Sequence, residues 1–203
     1  MIVASFYAPR HDVWGCDYDA LLDLLDASCK RLGLAHQCIS DEPRPRVATA
    51  LMPLPKELMQ AILEGQWRFL CEASEPVLFV GADCLLTRDP RPFAAGDMTV
   101  TTSDTFRDCR MNTGAVWCND PKACAPIYKA ALDTRPTIWG DEQTALHEAI
   151  KASGLTVSEV RAEDHNWAPS DADDLAGMPT VVHFRGERKR FMAAWAQRHL
   201  GIA

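Results

Sequence analysis

The stretch VLFVGADCLLTRDP, Val77 to Pro90, decides how the rest of the chain is read. Its first four residues are apolar and rich in β-branched and aromatic types, and they lie between Pro76 and Gly81. A run this short, bounded by proline and glycine, reads as a strand buried on both faces. Strands of that kind belong to parallel sheets covered by helices. Asp83 follows two residues after Gly81, beyond the strand's carboxyl end, where ligands bind in open α/β sheets. Taken alone, Asp83 has a plainer use, the tightening of a post-strand turn.

Working outward, IVASFYA near the start is a second buried strand. Asp17 suits an N-cap for the amphipathic helix DYDALLDLLDASCKRLG, which Gly33 stops. LAHQCIS is a short strand, DEPRPRVATALMPLP a proline-rich loop, and residues 56–72 a helix despite Gly65. Downstream, DMTVTTS and NTGAVWC read as strands, and Asp120-Pro121 opens a helix that Pro126 should delay. GDEQTALHEAIKASG is a helix capped by Asp141 and ended by Gly154. LTVSEV is a strand, EDHNWAPSDADDLAGM an acidic loop, PTVVHF the last strand, and residues 188–200 the last helix. Strands alternate with helices almost throughout. The expectation is one α/β domain over residues 1–203, with a mixed, largely parallel Rossmann-like sheet flanked by helices.

Composition narrows the function classes. The chain has 203 residues, 47% apolar and 24% charged, with a formal net charge of -7. An acidic balance argues against tight non-specific binding to nucleic acids or anionic membranes, although Arg185 to Arg190 form a local basic cluster. None of the eight cysteines has C-x-x-C spacing, so buried reduced thiols are expected. MIVASFYA lacks the basic flank and length of a signal peptide, and no apolar run reaches membrane-span length. A cytoplasmic protein without a membrane span is expected.

The residues at the strand ends form a coherent set: Tyr7 and Arg10, Asp83 and Asp104 after strands, Asn112 and Gly114 leading into one, and Arg185, Gly186, Arg188 and Lys189 after His183. Converging on one sheet edge, they offer carboxylate, imidazole, cation and aromatic groups, suited to a metal, a diphosphate and a base. Each has a structural alternative. His183 could be a core histidine, and Arg188 to Arg190 the solvated first turn of a helix. Asn112 and Gly114 could be a turn against a close-packed strand, and Tyr7 edge packing. Asp141 should cap its helix whatever else it does. Trp67 and Trp139 read as core or rim, and alternation turns Cys84 away from Asp83 into the core.

Four of these segments, in this order, resemble motifs of glycosyltransferases with the GT-A fold. VLFVGADCLLTRDP resembles the strand plus DxD segment, MNTGAVWC the NxG strand, and GDEQTAL the D-Q/D-E-Q helix start. VVHFRGERK resembles the H-x-x-G-x-x-K segment of glycosyltransferase family 8 and its relatives. The resemblance implies transfer of a hexose from a nucleotide-diphosphate sugar, UDP-linked by preference, to a hydroxyl acceptor, with retention of configuration. It implies Asp83 and His183 as ligands of Mn2+ or Mg2+. Tyr7, Arg10, Asp83, Gly186 and Lys189 would hold the nucleotide and diphosphate, and Asn112, Asp141 and Gln143 would meet the sugar and acceptor. No side chain stands out as a general base, which fits a reaction driven by leaving-group stabilisation. The acceptor would be a saccharide, a protein or a modified base. The chain is short for such an enzyme, which leaves a small acceptor, or one completed by a second subunit of a homo-oligomer.

Position 81 departs from the pattern. The first DxD carboxylate is replaced by Gly81. Three outcomes stand open: a metal held by Asp83, His183, diphosphate and water; a substitute acid such as Asp89 or Asp104; or a metal-free site using Arg10, Arg188 and Lys189. Two rival functions accompany them, a degenerate nucleotide- or glycan-binding module without turnover and a transferase acting on a nucleic-acid base.

Overall fold

The computed structural model describes residues 1–9, 15–103, 109–175, 177 and 179–202. Seven strands form the main sheet: β1 (Ile2–Phe6), β2 (Ala35–Ser40), β3 (Thr49–Leu51), β4 (Val77–Gly81), β6 (Met98–Thr102), β7 (Met111–Cys118) and β8 (Val157–Arg161). β5 (Cys84–Leu86) and β9 (Val181–His183) pair separately as a small antiparallel sheet. The main order is β3-β2-β1-β4-β7-β6-β8. β7 pairs antiparallel with β4 and β6, while every other pairing is parallel, so six strands point one way and β7 alone is reversed. This is the expected mixed, largely parallel α/β architecture.

The period-2 pattern of the strands divides the core into two layers. From β4, Val77 and Phe79 face α2 (Leu58–Glu72), α3 (Pro121–Asp133) and α4 (Asp141–Ala152), packing with Leu63, Phe69, Tyr128 and Leu146. Leu78 and Val80 face the other way, onto the layer of α1 (Tyr18–Arg31) that includes Leu25 and Cys29. Gly65 is explained here. A Cβ on it would stand 2.8 Å from Ile39 Cγ2, so glycine lets α2 press onto β2. At the start of α1, Asp17 accepts a hydrogen bond from the Ala20 N–H at 3.0 Å, as its position predicts.

Several elements differ from the sequence expectation. The proline-rich segment contains β3, which pairs in parallel with β2 and extends the sheet by one strand. Pro126 does not delay α3. The helix starts at Pro121, with Asp120 accepting from the Lys122 and Ala123 N–H groups, and runs through Pro126. The acidic loop holds a one-turn helix, α5 (Ala162–His165), and a parallel bridge from Trp167 to Val182. The last helix, α6, spans only Met192–Leu200, because residues Gly186–Phe191 form a tighter 3-10 turn.

Strand direction places the site. Phe6 pairs with Gly81 across β1 and β4, so Tyr7 and Ala82 leave adjacent strands at the same edge. β7 runs the other way and brings its beginning, Asn112 to Gly114, to that edge. Its pairing with β6 slips there: Val100 faces Val116, but Thr101 faces Asn112. The resulting bulge is closed by the Thr101 hydroxyl, 2.8 Å from the Asn112 carbonyl and 3.2 Å from that of Ala115. Bulges of this kind redirect side chains at strand ends.

Candidate active site

Above this edge lies a cleft of about 510 Å³. Its lining includes Tyr7, Asp83, Asn112, Gln143, His183, Gly186 and Lys189, seven of the nine positions singled out from the sequence. Arg10 is outside the described residues, as is Asp104. Asp141 does not line the cleft.

The centre of the site is an ion-pair cluster. Asp83 stands between β4 and β5, and its carbonyl accepts from the Phe184 N–H at 2.8 Å, which joins it to the end of β9. His183 pairs with Cys84 across β5 and β9 and is anchored by its own N–H to the Trp167 carbonyl at 2.7 Å. The chain then turns at Gly186, whose φ of 59° favours glycine, and the 3-10 turn swings Lys189 back over the strand ends. Asp83 Oδ2 lies 2.6 Å from Lys189 Nζ, and Asp83 Oδ1 lies 3.3 Å from His183 Nε2. Both Asp83 and Lys189 are buried. Burial alone would raise the Asp83 carboxyl, but His183 and Lys189 outweigh it and hold the group well below the usual carboxylate range.

His183 is oriented from its other nitrogen. Asn166 Oδ1 is 3.1 Å from Nδ1, and Arg185 Nε approaches the same atom at 3.3 Å. When Asn166 accepts, Nδ1 carries a proton, and Nε2 pairs with Asp83 when the ring is protonated on both nitrogens. When Arg185 donates to Nδ1, Nε2 carries the proton and donates a hydrogen bond to the carboxylate. Gly114 makes this packing possible, since a Cβ there would stand 2.5 Å from His183 Nδ1 and 2.7 Å from Asn166 Nδ2. Asn166 went unnoticed in the sequence because it lies in a segment without periodicity.

Asn112 Oδ1 accepts from the Gly114 N–H at 2.8 Å and so shapes the bulge that carries Gly114. Gln143 Oε1 accepts from the Thr113 N–H at 3.2 Å, tying α4 to the same strand end. Tyr7 stacks on Tyr18 with ring centres 4.7 Å apart, and the Arg44 guanidinium lies 5.3 Å from the Tyr7 centroid.

At the start of α4 the expectation shifts by one residue. Gly140, with φ 91°, occupies the cap, and Asp141 is the first helical residue. Asp141 Oδ2 accepts from the Ile138 N–H at 3.1 Å and braces the preceding turn. It is Glu142 that lines the cleft. Burial pushes its carboxyl up against the opposing pull of nearby backbone N–H groups, and its Oε2 has no partner among the described residues. Trp139, 71% exposed, stands on the cleft wall beside it.

Gly81 faces the cluster directly. A Cβ on it would lie 2.5 Å from Asp83 Oδ1 and 3.5 Å from both Cys84 Sγ and His183 Nε2. Asp89 does not fill the gap, since its carboxylate is held by Arg91 at 2.8 Å outside the cleft. Arg188 is exposed and lies outside the cleft lining, so among the described residues the cations at the cleft are Lys189 and Arg185. Cys84 is buried with the core, as alternation predicts, yet its sulfur remains within 4.8 Å of the Asp83 and His183 ligand atoms. The sulfur thus lies in the core beneath Gly81, within reach of the cluster, and does not line the cleft.

No protein-family model matches the sequence, and no curated protein matches it. Solved structures do. One is a glycosyltransferase involved in glycosylation of the major capsid protein of PBCV-1: TM-score 0.65, 14% identity, 95% of this chain and 99% of that one covered. The galactosyltransferase LgtC, solved with donor and acceptor sugar analogues, matches with TM-score 0.61 and 11% identity over 99% of this chain and 94% of that one. The glycosyltransferase GlyE of Streptococcus pneumoniae TIGR4 matches with TM-score 0.62 and 13% identity over 92% of this chain, which spans 55% of GlyE. The fold is thus the GT-A fold of these glycosyltransferases.

Proposed function

We propose that the protein is a glycosyltransferase that moves a sugar from a nucleotide-diphosphate sugar, a UDP-sugar by preference, to a hydroxyl acceptor with retention of configuration. The observation that carries this reading is the Asp83–His183–Lys189 cluster, buried at the strand ends inside a cleft large enough for a ligand. Tyr7 and Tyr18 offer aromatic surface for the base. Gly186 exposes backbone to phosphate, and Lys189 and Arg185 oppose the charge that grows on the leaving diphosphate.

The donor set fits a divalent cation. Two ligands bonded at about 2.1 Å to one ion stand roughly 3.0–3.4 Å apart, and Asp83 Oδ1 and His183 Nε2 are 3.3 Å apart. A bound Mn2+ or Mg2+ would act as a Lewis acid toward the diphosphate. On the acceptor side, Glu142 takes the part that the sequence assigns to Asp141, accepting a sugar or acceptor hydroxyl. Gln143 and Asn112 hold the bulge of β7 against it. The exposed Trp139 ring offers an apolar face to a carbohydrate, and the LgtC complex with donor and acceptor sugar analogues supports reading the cleft as a two-substrate site.

The test is thermal unfolding against a panel of nucleoside diphosphates and nucleotide sugars, with and without manganese, followed by donor hydrolysis. A ligand at about a hundred times its dissociation constant stabilises the native state by roughly 2.7 kcal/mol, a readable shift. A shift with one nucleotide, and hydrolysis abolished by Asp83→Ala and by Lys189→Ala, is the expected result. Binding without turnover of any donor would establish instead a module that holds a nucleotide or glycan, the reading that Gly81 favours. Hydrolysis surviving in both variants would refute the transferase reading.

A further inference from the structure

Cys84 and His183 stand directly opposite each other in the β5–β9 pair. Directly opposed residues on antiparallel strands project to the same face with closely spaced side chains. Asp83 immediately precedes Cys84, and one ligand atom from each of Asp83, Cys84 and His183 lies within 4.8 Å of the other two. We propose that these three residues form a site for a thiophilic divalent ion of the zinc class, seated in the space that Gly81 leaves open.

The cradle at Gly81 supports this. The point where a Cβ would stand is 3.5 Å from the Cys84 sulfur, 3.5 Å from His183 Nε2 and 2.5 Å from Asp83 Oδ1. All three donors therefore surround one small volume, and a side chain at position 81 would fill it. Lys189 engages Asp83 through Oδ2, which leaves Oδ1 for an ion. With Asn166 Oδ1 accepting at His183 Nδ1 in place of donation from Arg185, the ring takes the tautomer that offers Nε2 to a metal. The hydrogen bond from the Cys84 thiol to the Gly114 carbonyl is long, 3.9 Å, and gives little hold on the sulfur.

The ligand chemistry sets the preference. Two carboxylates and an imidazole would suit manganese, whereas thiolate, imidazole and one carboxylate oxygen suit zinc or cobalt. Replacing the carboxylate at 81 by glycine thus does more than remove a ligand: it opens the cradle to the sulfur of residue 84. On binding, the thiol releases one proton to the buffer as the sulfur–metal bond forms, with no change of oxidation state. The site shares Asp83 and His183 with the donor site proposed above, but its ion is bound by protein donors without nucleotide, so it stands or falls apart from sugar transfer.

The test uses the full chain, stripped with a chelator and titrated with Co2+ and no nucleotide. One cobalt per chain is expected, with visible d–d bands and a near-ultraviolet thiolate-to-cobalt charge-transfer band, and zinc should displace it. Cys84→Ser should abolish the charge-transfer band and weaken zinc at least tenfold, while Cys71→Ser, which alters an exposed thiol, leaves both unchanged. Gly81→Ala keeps all three ligands and should also weaken zinc at least tenfold by filling the cradle. Far-ultraviolet circular dichroism and the melting temperature show whether each variant folds. The proposal is overturned if wild type binds no cobalt, if bound cobalt shows no thiolate band, or if both folded variants, Cys84→Ser and Gly81→Ala, hold zinc as tightly as wild type.

Discussion

The chain assembles an aspartate, a histidine and a lysine twice. Asp26 lies 2.6 Å from Lys30 and 3.5 Å from His36, and Asp83 lies 2.6 Å from Lys189 and 3.3 Å from His183. The first trio sits between α1 and the sheet, where the Ser5 hydroxyl meets His36 Nε2 at 2.9 Å, and none of its members lines the cleft. Its lysine is four residues from the aspartate on the same helix and is 72% exposed. The second trio gathers three segments at the strand ends and buries its lysine, leaving 6% of that side chain exposed. Similar pairs therefore carry different weight. A solvated lysine contributes little to an i,i+4 pair, whereas stripping the partner from a buried one costs roughly 3–5 kcal/mol. Distance alone does not make a site; burial of the cation and open space beside the carboxylate do.

The sharpest way to break this contrast is to neutralise each aspartate. Asp83→Asn should lower donor turnover by at least a hundredfold, the scale of losing one electrostatic stabiliser of a transition state, about 2.7 kcal/mol or more. It should also destabilise the fold by about 3 kcal/mol in urea unfolding, because a buried ion pair loses its carboxylate. Asp26→Asn should leave turnover within about twofold and cost about 1 kcal/mol of stability. Equal losses of turnover in the two variants would show that the cleft confers no special role on Asp83.

A smaller effect separates two neighbours on α4. Glu142→Gln should reduce transfer about tenfold, while Asp141→Asn should leave transfer within about twofold and loosen the helix start by about 0.5–1 kcal/mol. The reverse order would return the acceptor role to Asp141. This pair also marks where sequence reasoning ran out. D-E-Q announces a helix start, but which carboxylate turns inward depends on Gly140 taking the cap at φ 91°, a backbone fact that no side-chain pattern encodes.

The long elements were legible for a simple reason: α1, α2 and α4 carry many turns of apolar period, and β4 is an unbroken apolar run between proline and glycine. Elements of three residues were mostly not. β9 was legible within PTVVHF, but β3 and β5 are too short to show a period of two, so the small sheet that pairs Cys84 with His183 could not be anticipated. Residues 188–191 look helical, and the tighter turn that aims Lys189 at Asp83 is set by Gly186 and by contact with the strand ends. Asp83, His183 and Lys189 were each visible and expected at one sheet edge; their direct contact is made by the β5–β9 pair and the turn.

The smallest effect is one of pH. The His36 ring and Lys30 hold the Asp26 carboxyl below its ordinary value of 3.8, against burial. A carboxyl with a depressed folded-state pKa contributes stability that is whole above its unfolded pKa and fades as pH falls through the folded one. The difference between wild type and Asp26→Asn, measured by urea unfolding, should therefore be level above about pH 5 and shrink as the pH drops below about 4. The Asp83 carboxyl is pushed further down by His183 and Lys189, so the Asp83→Asn difference should outlast it, remaining open at acidities where the Asp26→Asn difference has closed. If both close together, Asp83 titrates as an ordinary half-solvated carboxylate, and the burial that distinguishes the two trios has no energetic consequence.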